Sequence, residues 1–361
     1  MMRLHAGSSP FSVARDNPVD IAATALDVPR MASLQDVAKR AKVSIATVSR
    51  VLNKSAKVVP ETRVTVERAL RDLGYRPSRV ARRLRMKDGR AHLVGLIIPD
   101  IQNPFYAEIA RGVEDTAYSN DYALILCNSD EKLEKERFYL DVMRDESVDG
   151  VVLPPFSETD DAVIDLVNTG MPVVCVDRSL IKARTDLVEV DNYRGAFEAV
   201  SHLLDRGHKS IGLIEGRTQV STSRERRRGY LDALSARGIT VRKDLMVAGD
   251  FKQESGRVLT LALLDLKKPP TALFVGNNLM TVGALGALHQ RKVRVPDDIA
   301  IVGFDDIPWA EALDPPPTVV RQPAYNVGVQ AMELLLKRII DPTRPTVTVR
   351  LLPELVIRRS S

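Results

Sequence analysis

Residues 44–53 read SIATVSRVLN. Val48, Val51 and Leu52 fall at i, i+3 and i+4, so one narrow face of a helix can pack inward. At roughly 100° per residue, the opposite face carries Ala46, Ser49, Arg50 and Asn53, with Ile45 at its margin. Those side chains are short, except for one arginine that can form a planar fork. The outward face of a surface helix usually carries its solubilising charge. Here that charge is nearly missing, which predicts a helix built to approach another surface closely.

The flanking residues supply a frame for it. Upstream, Ser33 and Asp36 form a capping-box-like pair, and Leu34, Val37, Ala38 and Ala41 keep the helical apolar spacing, which predicts a first helix over 34–41. A break at Lys42-Val43 leads to Ser44, a good N-cap for the second helix. Downstream, Pro60 opens a third helix near 61–73, with Val66, Ala69, Leu70 and Leu73 facing inward and Gly74 able to end it in the left-handed region. Two short helices joined by a tight turn, with a third closing the core, form a helix-turn-helix head over 31–77. Its second helix enters the major groove, where bulky solvated side chains would block approach. Arg50 can give a bidentate contact to guanine, Ile45 or Ala46 can touch a thymine methyl, and Thr47, Ser49 and Asn53 can hold phosphates or base edges.

The charge is distributed to match. Residues 31–90 hold 16 Lys+Arg against 5 Asp+Glu, a net of +11, while the whole chain is +5. The remainder is therefore acidic, and the basic segment suits a polyanion. Within it, SRVARRLRMK (78–87) places Val80, Ala81 and Leu84 among Arg79, Arg82, Arg83 and Arg85. So many like charges oppose a short helix in water, but a phosphate backbone turns the repulsion into attraction. Residues 78–91 are expected to be a hinge helix and linker that folds on DNA, with Leu84 wedging between base steps from the minor groove. Residues 1–30 lack helical or strand periodicity and a secretory order of basic then apolar residues; they are expected to be a disordered extension, with the natural start as late as Met31.

From residue 92 the pattern changes. HLVGLIIP, ALILCN, GVVLPP, PVVCVDR, IGLIEG, ALFVGN and IAIVGFDD are apolar strand-like runs separated by helix-period segments. This alternation predicts parallel sheets flanked by helices. About 270 residues of it exceed one comfortable core, so two lobes are expected: an N-lobe over about 92–190 and 322–350, and a C-lobe over about 191–321 and 351–361. Ligands of such sheets bind at the carboxyl ends of strands. Polar residues gather there: Phe105-Tyr106 after the first run, then Asp177-Arg178, Arg224 and Arg226, Asn277-Asn278, Asp305-Asp306 with Trp309, and Gln322. Carboxylates, guanidiniums and aromatic plates together suit a polyhydroxylated ligand.

Residues 33–86, SLQDVAKRAKVSIATVSRVLN…ETRVTVERALRDLGYRPSRVARRLRM, resemble the DNA-binding head and hinge of the lactose-repressor/galactose-repressor family. Residues 92–361 resemble the effector core of the same repressors, which is similar to periplasmic sugar-binding proteins; the landmarks are IIPDIQNPFYAEIARGVE, VDGVVLPP, VVCVDR, EVDNYRGA, RRRGY, FVGNN, VPDDIAIVGFDD and TVVRQP. The resemblance implies base reading by Ile45, Ala46 and Arg50, a minor-groove leucine at Leu84, and ligand contacts from Phe105, Tyr106, Asp177, Arg178, Arg226, Asn277, Asp305 and Gln322. Three positions depart from the family pattern. Val59 stands where a serine commonly caps the third helix, Ser78 where an asparagine follows the proline, and Asn278 where an aspartate follows the asparagine.

Taken together, the residues expected to touch DNA are Ser44, Ile45, Ala46, Thr47, Ser49, Arg50, Asn53, Lys57, Arg79 and Leu84. Those expected to touch an effector are Phe105, Tyr106, Asp177, Arg178, Arg226, Asn277, Asp305, Trp309 and Gln322. The implied molecule is a homodimeric repressor, with a tetramer left open, that binds a palindromic operator under control of a sugar or sugar derivative. A sugar-binding transport component is the alternative, against which the basic head and the missing signal sequence both speak. No HExxH, paired CxxC, GxSxG, P-loop or GxGxxG occurs, so no catalytic residue, metal or cofactor is expected. No run of 18 apolar residues occurs, and Cys127 and Cys175 sit inside strand-like runs as buried reduced thiols. Both features fit a cytoplasmic protein.

Overall fold

The computed structural model describes residues 32–52, 57–75 and 90–361. Asn53, Arg79, Leu84 and the expected N-terminal extension lie outside the described residues, as does all but the last part of the expected hinge. The chain divides into two compact units, Met1–Ala81 and Arg82–Ser361.

In the first unit, α1 (Leu34–Ala41), α2 (Ile45–Leu52) and α3 (Pro60–Asp72) form the helical head. The capping box at the start of α1 is complete: the Asp36 amide donates to Ser33 Oγ at 3.2 Å, and the Ser33 amide donates to Asp36 Oδ2 at 2.8 Å. Val37, Val48, Val51, Val66 and Ala69 form the buried centre, with Leu34, Leu52, Leu70 and Leu73 packed around it. Gly74 takes φ +58°, where a side chain would be strained. Val59 precedes α3 in extended conformation and supplies no side-chain cap. Val59→Ser is therefore expected to stabilise the head by about 0.5–1 kcal/mol. Urea unfolding of the two proteins checks this, and an unchanged or lowered midpoint counts against it.

The second unit holds two six-stranded sheets. One has the order β11-β5-β4-β3-β1-β2, built from β1 (Leu93–Ile98), β2 (Ala123–Asn128), β3 (Gly150–Leu153), β4 (Val173–Val176), β5 (Asp186–Val190) and β11 (Thr348–Leu351). The other has the order β12-β10-β9-β8-β6-β7, built from β6 (Ile211–Glu215), β7 (Met246–Ala248), β8 (Ala272–Val275), β9 (Ala300–Phe304), β10 (Thr318–Arg321) and β12 (Glu354–Val356). Every pairing is parallel except β10 with β12. The chain crosses between the lobes after β5, after β10 and between β11 and β12, so neither lobe is a continuous segment.

Helices cover both sheets, and in each lobe helices pack backbone against backbone. In the N-lobe, α4 (Pro104–Ser119) meets a late helix, Ala324–Ile340; a Cβ on Gly112 would lie 2.2 Å from the Tyr325 carbonyl oxygen. In the C-lobe, Gln253–Leu264 meets Asn278–Gln290, where a Cβ on Gly283 would lie 1.9 Å from the Gln253 carbonyl oxygen. Only glycine permits these approaches. Cys175 is buried as expected, but Cys127 is only partly so, because β2 is an edge strand; both thiols are free. Among the described residues, no helix is long and apolar enough to cross a membrane.

Candidate functional site: a groove-reading helix and an interlobe cavity

The head presents α2 as the sequence implies. Val48 and Val51 turn inward, Ala46 and Arg50 are exposed, Thr47 and Ser49 are half-buried, and Ile45 is 47% exposed despite being a large apolar residue. Lys57 is exposed as well. Ser44 has a local duty: its Oγ accepts the Thr47 amide at 3.1 Å and lies 2.9 Å from Thr47 Oγ1. That cap holds the first turn of α2, whose outer face is left as small side chains and one guanidinium.

In the core, the carboxyl ends of the parallel strands of both sheets converge on a small, partly open cavity of about 30 Å³. Each lobe contributes an aspartate by the same device. The Asp177 amide donates to the Val188 carbonyl at 2.9 Å, and the Asp305 amide donates to the Val320 carbonyl at 2.8 Å. Each acid is thus tied to the neighbouring strand just as its own strand ends. Both take positive φ, 62° and 69°, and Glu131 and Phe251 on the cavity wall do too, at 56° and 70°. Non-glycine residues in that region cost about 1–3 kcal/mol each and persist where the surroundings hold them. Here the gain is that four side chains turn into the cavity.

Guanidiniums neutralise the acids. Arg178 makes a two-pronged contact with Glu131, its Nη1 lying 3.1 Å from Oε2, and its Nε lies 3.6 Å from Asp177 Oδ2. Tyr106 donates its hydroxyl to Asp177 Oδ2 at 3.0 Å. In the C-lobe, Arg226 donates from Nε to Asn192 Oδ1 at 2.8 Å and from Nη1 to the Gly276 carbonyl, with its guanidinium carbon 3.8 Å from the Phe304 ring centre. Burial raises the pKa of both Asp177 and Asp305 against the opposing pull of these arginines, Arg178 and Arg226 for Asp177 and Arg226 for Asp305. Burial is the largest single influence on Glu131, but the charge and hydrogen bonds of Arg178, joined by the charges of Arg217 and Lys252, together outweigh it and hold that carboxyl below its ordinary range. Burial pushes the Tyr106 phenol well up, so it stays a neutral donor.

Of the expected effector residues, Phe105, Tyr106, Asp177, Arg178, Arg226, Asn277 and Asp305 line this cavity. Gln322 stands behind it, with its amide donating to Asp305 Oδ1. Trp309 is not brought in; it is 50% exposed and precedes a short 3-10 turn, Ala310–Ala312. The structure adds Asp100, Glu131, Thr222, Asp250, Phe251 and Lys252, which sequence reading did not single out. Asp100 and Glu131 follow β1 and β2, so the strand-end rule could have found them. Phe251 and Lys252 follow β7, whose three residues are too few to show a strand pattern. Contacts between side chains of the two lobes close the cavity: Lys252 with Asp100, Arg224 with Glu158, and Asn278 Nδ2 donating to Asn103 Oδ1 at 2.9 Å. The last explains a departure noted in the sequence, since an aspartate at position 278 would have no donor to offer Asn103. Among the described residues, no group of His, Cys, Asp and Glu could hold a metal ion.

Comparison with known proteins agrees with both halves. Residues 33–78 match the family described as "Bacterial regulatory proteins, lacI family", and residues 200–361 match a "Periplasmic binding protein-like domain". The chain is 39% identical to the HTH-type transcriptional repressor PurR of Proteus mirabilis, over 91% of this chain and 97% of that one. It is 38% identical to the ribose operon repressor of Halalkalibacterium halodurans, over 92% and 97%. The solved lac repressor dimer, bound to operator and the anti-inducer ONPF, superposes with a TM-score of 0.81 at 26% identity, covering 91% of this chain and 98% of that one. With the helix-turn-helix head, the two-lobed core and relatives of nearly full length in agreement, the chain belongs to the lacI family of bacterial regulatory proteins: it is a DNA-binding transcriptional repressor rather than an enzyme.

Proposed function

We propose that this repressor binds a palindromic operator as a homodimer through α2, in the cytoplasm, and that a pentose held between the lobes sets its affinity for that operator. The observation that carries the ligand class is the matched pair Asp177 and Asp305. One comes from each lobe, each beside a buried arginine, and both face one cavity. Their charges are close enough to repel, Asp177 being one cause of the raised Asp305 pKa. Hydroxyl groups donating to both carboxylates would relieve that repulsion and favour closure, a differential interaction that shifts the lobe equilibrium. Arg178 Nε is buried 3.6 Å from Asp177 Oδ2 without a hydrogen-bond partner, which leaves its hydrogen for a ligand oxygen. A purine offers polar groups only along its edge, whereas these groups surround the ligand on several sides, as the hydroxyls of a sugar ring do. The ribose operon repressor among the relatives supports the pentose.

A thermal-shift screen of the full chain against ribose, other pentoses, hexoses and purines tests this. A ligand at 100 times its Kd should stabilise by about 2.7 kcal/mol. A shift with ribose that also changes operator affinity is the expected result. A shift with purines and no sugar moves the assignment to a purine effector, and silence across all sugars removes the carboxylate argument.

A further inference from the structure

Outside the ligand cavity, the N-lobe interior holds a second carboxyl pair. Glu136, in the first turn of Leu133–Asp145, is 3% exposed, and Asp160, which caps Asp161–Asn168, is 2% exposed. Asp160 Oδ1 accepts the amides of Ala162 and Val163 at 3.1 and 3.4 Å. Its other oxygen, Oδ2, is buried without a partner, and so is Glu136 Oε1. The helix that carries Glu136 packs against the helix that Asp160 caps, and the two carboxyls lie within hydrogen-bonding reach of each other. Two acceptors facing each other cannot satisfy one another unless one carries a proton. The other charged or titratable groups bearing on the pair are Arg178 and the Cys175 thiol.

We propose that Glu136 is a neutral carboxylic acid donating to Asp160, and that this shared proton is a positioning device for the ligand cleft. The tie spans the loop 154–160, which carries Glu158 across the cleft to Arg224 of the C-lobe. It also anchors the helix that begins just after Glu131, the partner of Arg178. Burial supports the assignment by pushing the Glu136 carboxyl up to about 10, with the Asp160 hydrogen bond adding to it. The positioning role rests on the sugar-effector reading; the proton does not.

Two measurements on the full chain separate these parts. In the first, the Tm of the wild type and of Glu136→Gln is followed from pH 5 to 9. A folded pKa raised above the unfolded value contributes stability that is lost as pH rises towards it. The wild type should therefore lose ground steadily to Glu136→Gln, and its infrared spectrum at pH 8 should show a protonated carboxylic-acid band that the variant lacks. Parallel Tm curves and no such band would overturn the shared proton, with or without a known effector. In the second, Glu136→Gln, which keeps a donor, should bind ribose within about twofold of wild type, and Glu136→Ala should bind at least about threefold more weakly. Equal binding by all three overturns positioning. If no protein binds ribose, the sugar reading fails while the proton is still decided by the first measurement.

Discussion

Arg226→Ala is expected to weaken effector binding at least about 100-fold and to uncouple operator affinity from effector. Arg226 is buried, donates to Asn192 and Gly276, and stacks over Phe304. It is also the charge that opposes burial at Asp305 and, with Arg178, at Asp177. Alanine leaves those carboxylates facing each other with half of their compensation gone. Removing one partner from a buried charge network costs about 3–5 kcal/mol of stability. The pH dependence has a definite sign. Asp305 already has a raised pKa, so its contribution is present at low pH and lost as pH rises through the folded value. Without Arg226 that pKa rises further, and the penalty should be greater at pH 7.5 than at pH 5. Calorimetric titration with ribose and thermal melts at the two pH values measure both effects. Binding within threefold of wild type would show that Arg226 only supports the lobe.

Arg50→Ala is the corresponding test of the head. Arg50 is exposed on the last turn of α2, beyond the buried Val48 and before the buried Val51. A bidentate arginine–guanine contact is worth about 1–3 kcal/mol of discrimination. The variant should therefore bind operator roughly 5- to 150-fold more weakly and lose preference at one base pair of each half-site, while effector binding stays as in wild type. The salt dependence tells the two roles of an arginine apart. A base contact leaves the slope of log K against log salt nearly unchanged, whereas a phosphate contact lowers it by about one and weakens all sequences alike. An unaltered half-site preference would reassign Arg50 to the backbone.

How much of this was legible beforehand depended on how local each feature is. The head was readable almost to the residue. Its helices are short and their caps lie next to their cores in sequence, as in Ser33 with Asp36 and Ser44 with Thr47. Val59 was legible in the same way as a position lacking a cap. Strands β1 and β4 stood out because strands buried on both faces are continuous apolar runs. The acids after β4 and β9 could be named because ligands of parallel sheets gather at such ends.

The composition of the cavity was only half legible. Glu131 matters because it grips Arg178, 47 positions later, and no periodicity links two residues so far apart. Phe251 and Lys252 follow a strand too short to announce itself, and Lys252 reaches Asp100 across the cleft. Trp309 looked like a stacking plate because of its type and place, yet its turn leaves it half in solvent. Nothing in the local sequence links Glu136 to Asp160, 24 positions later, and only their burial makes them a proton-sharing pair.

The helix-turn-helix head, the alternating strands and helices, and the polar strand ends are all local in the sequence, because periodicity and capping act over a few residues. The tertiary structure decided which strand ends meet, which acids are compensated by which arginines, and which carboxyl keeps its proton. Those outcomes depend on distances across the cleft and on removal from water, and both exist only once the two lobes have packed.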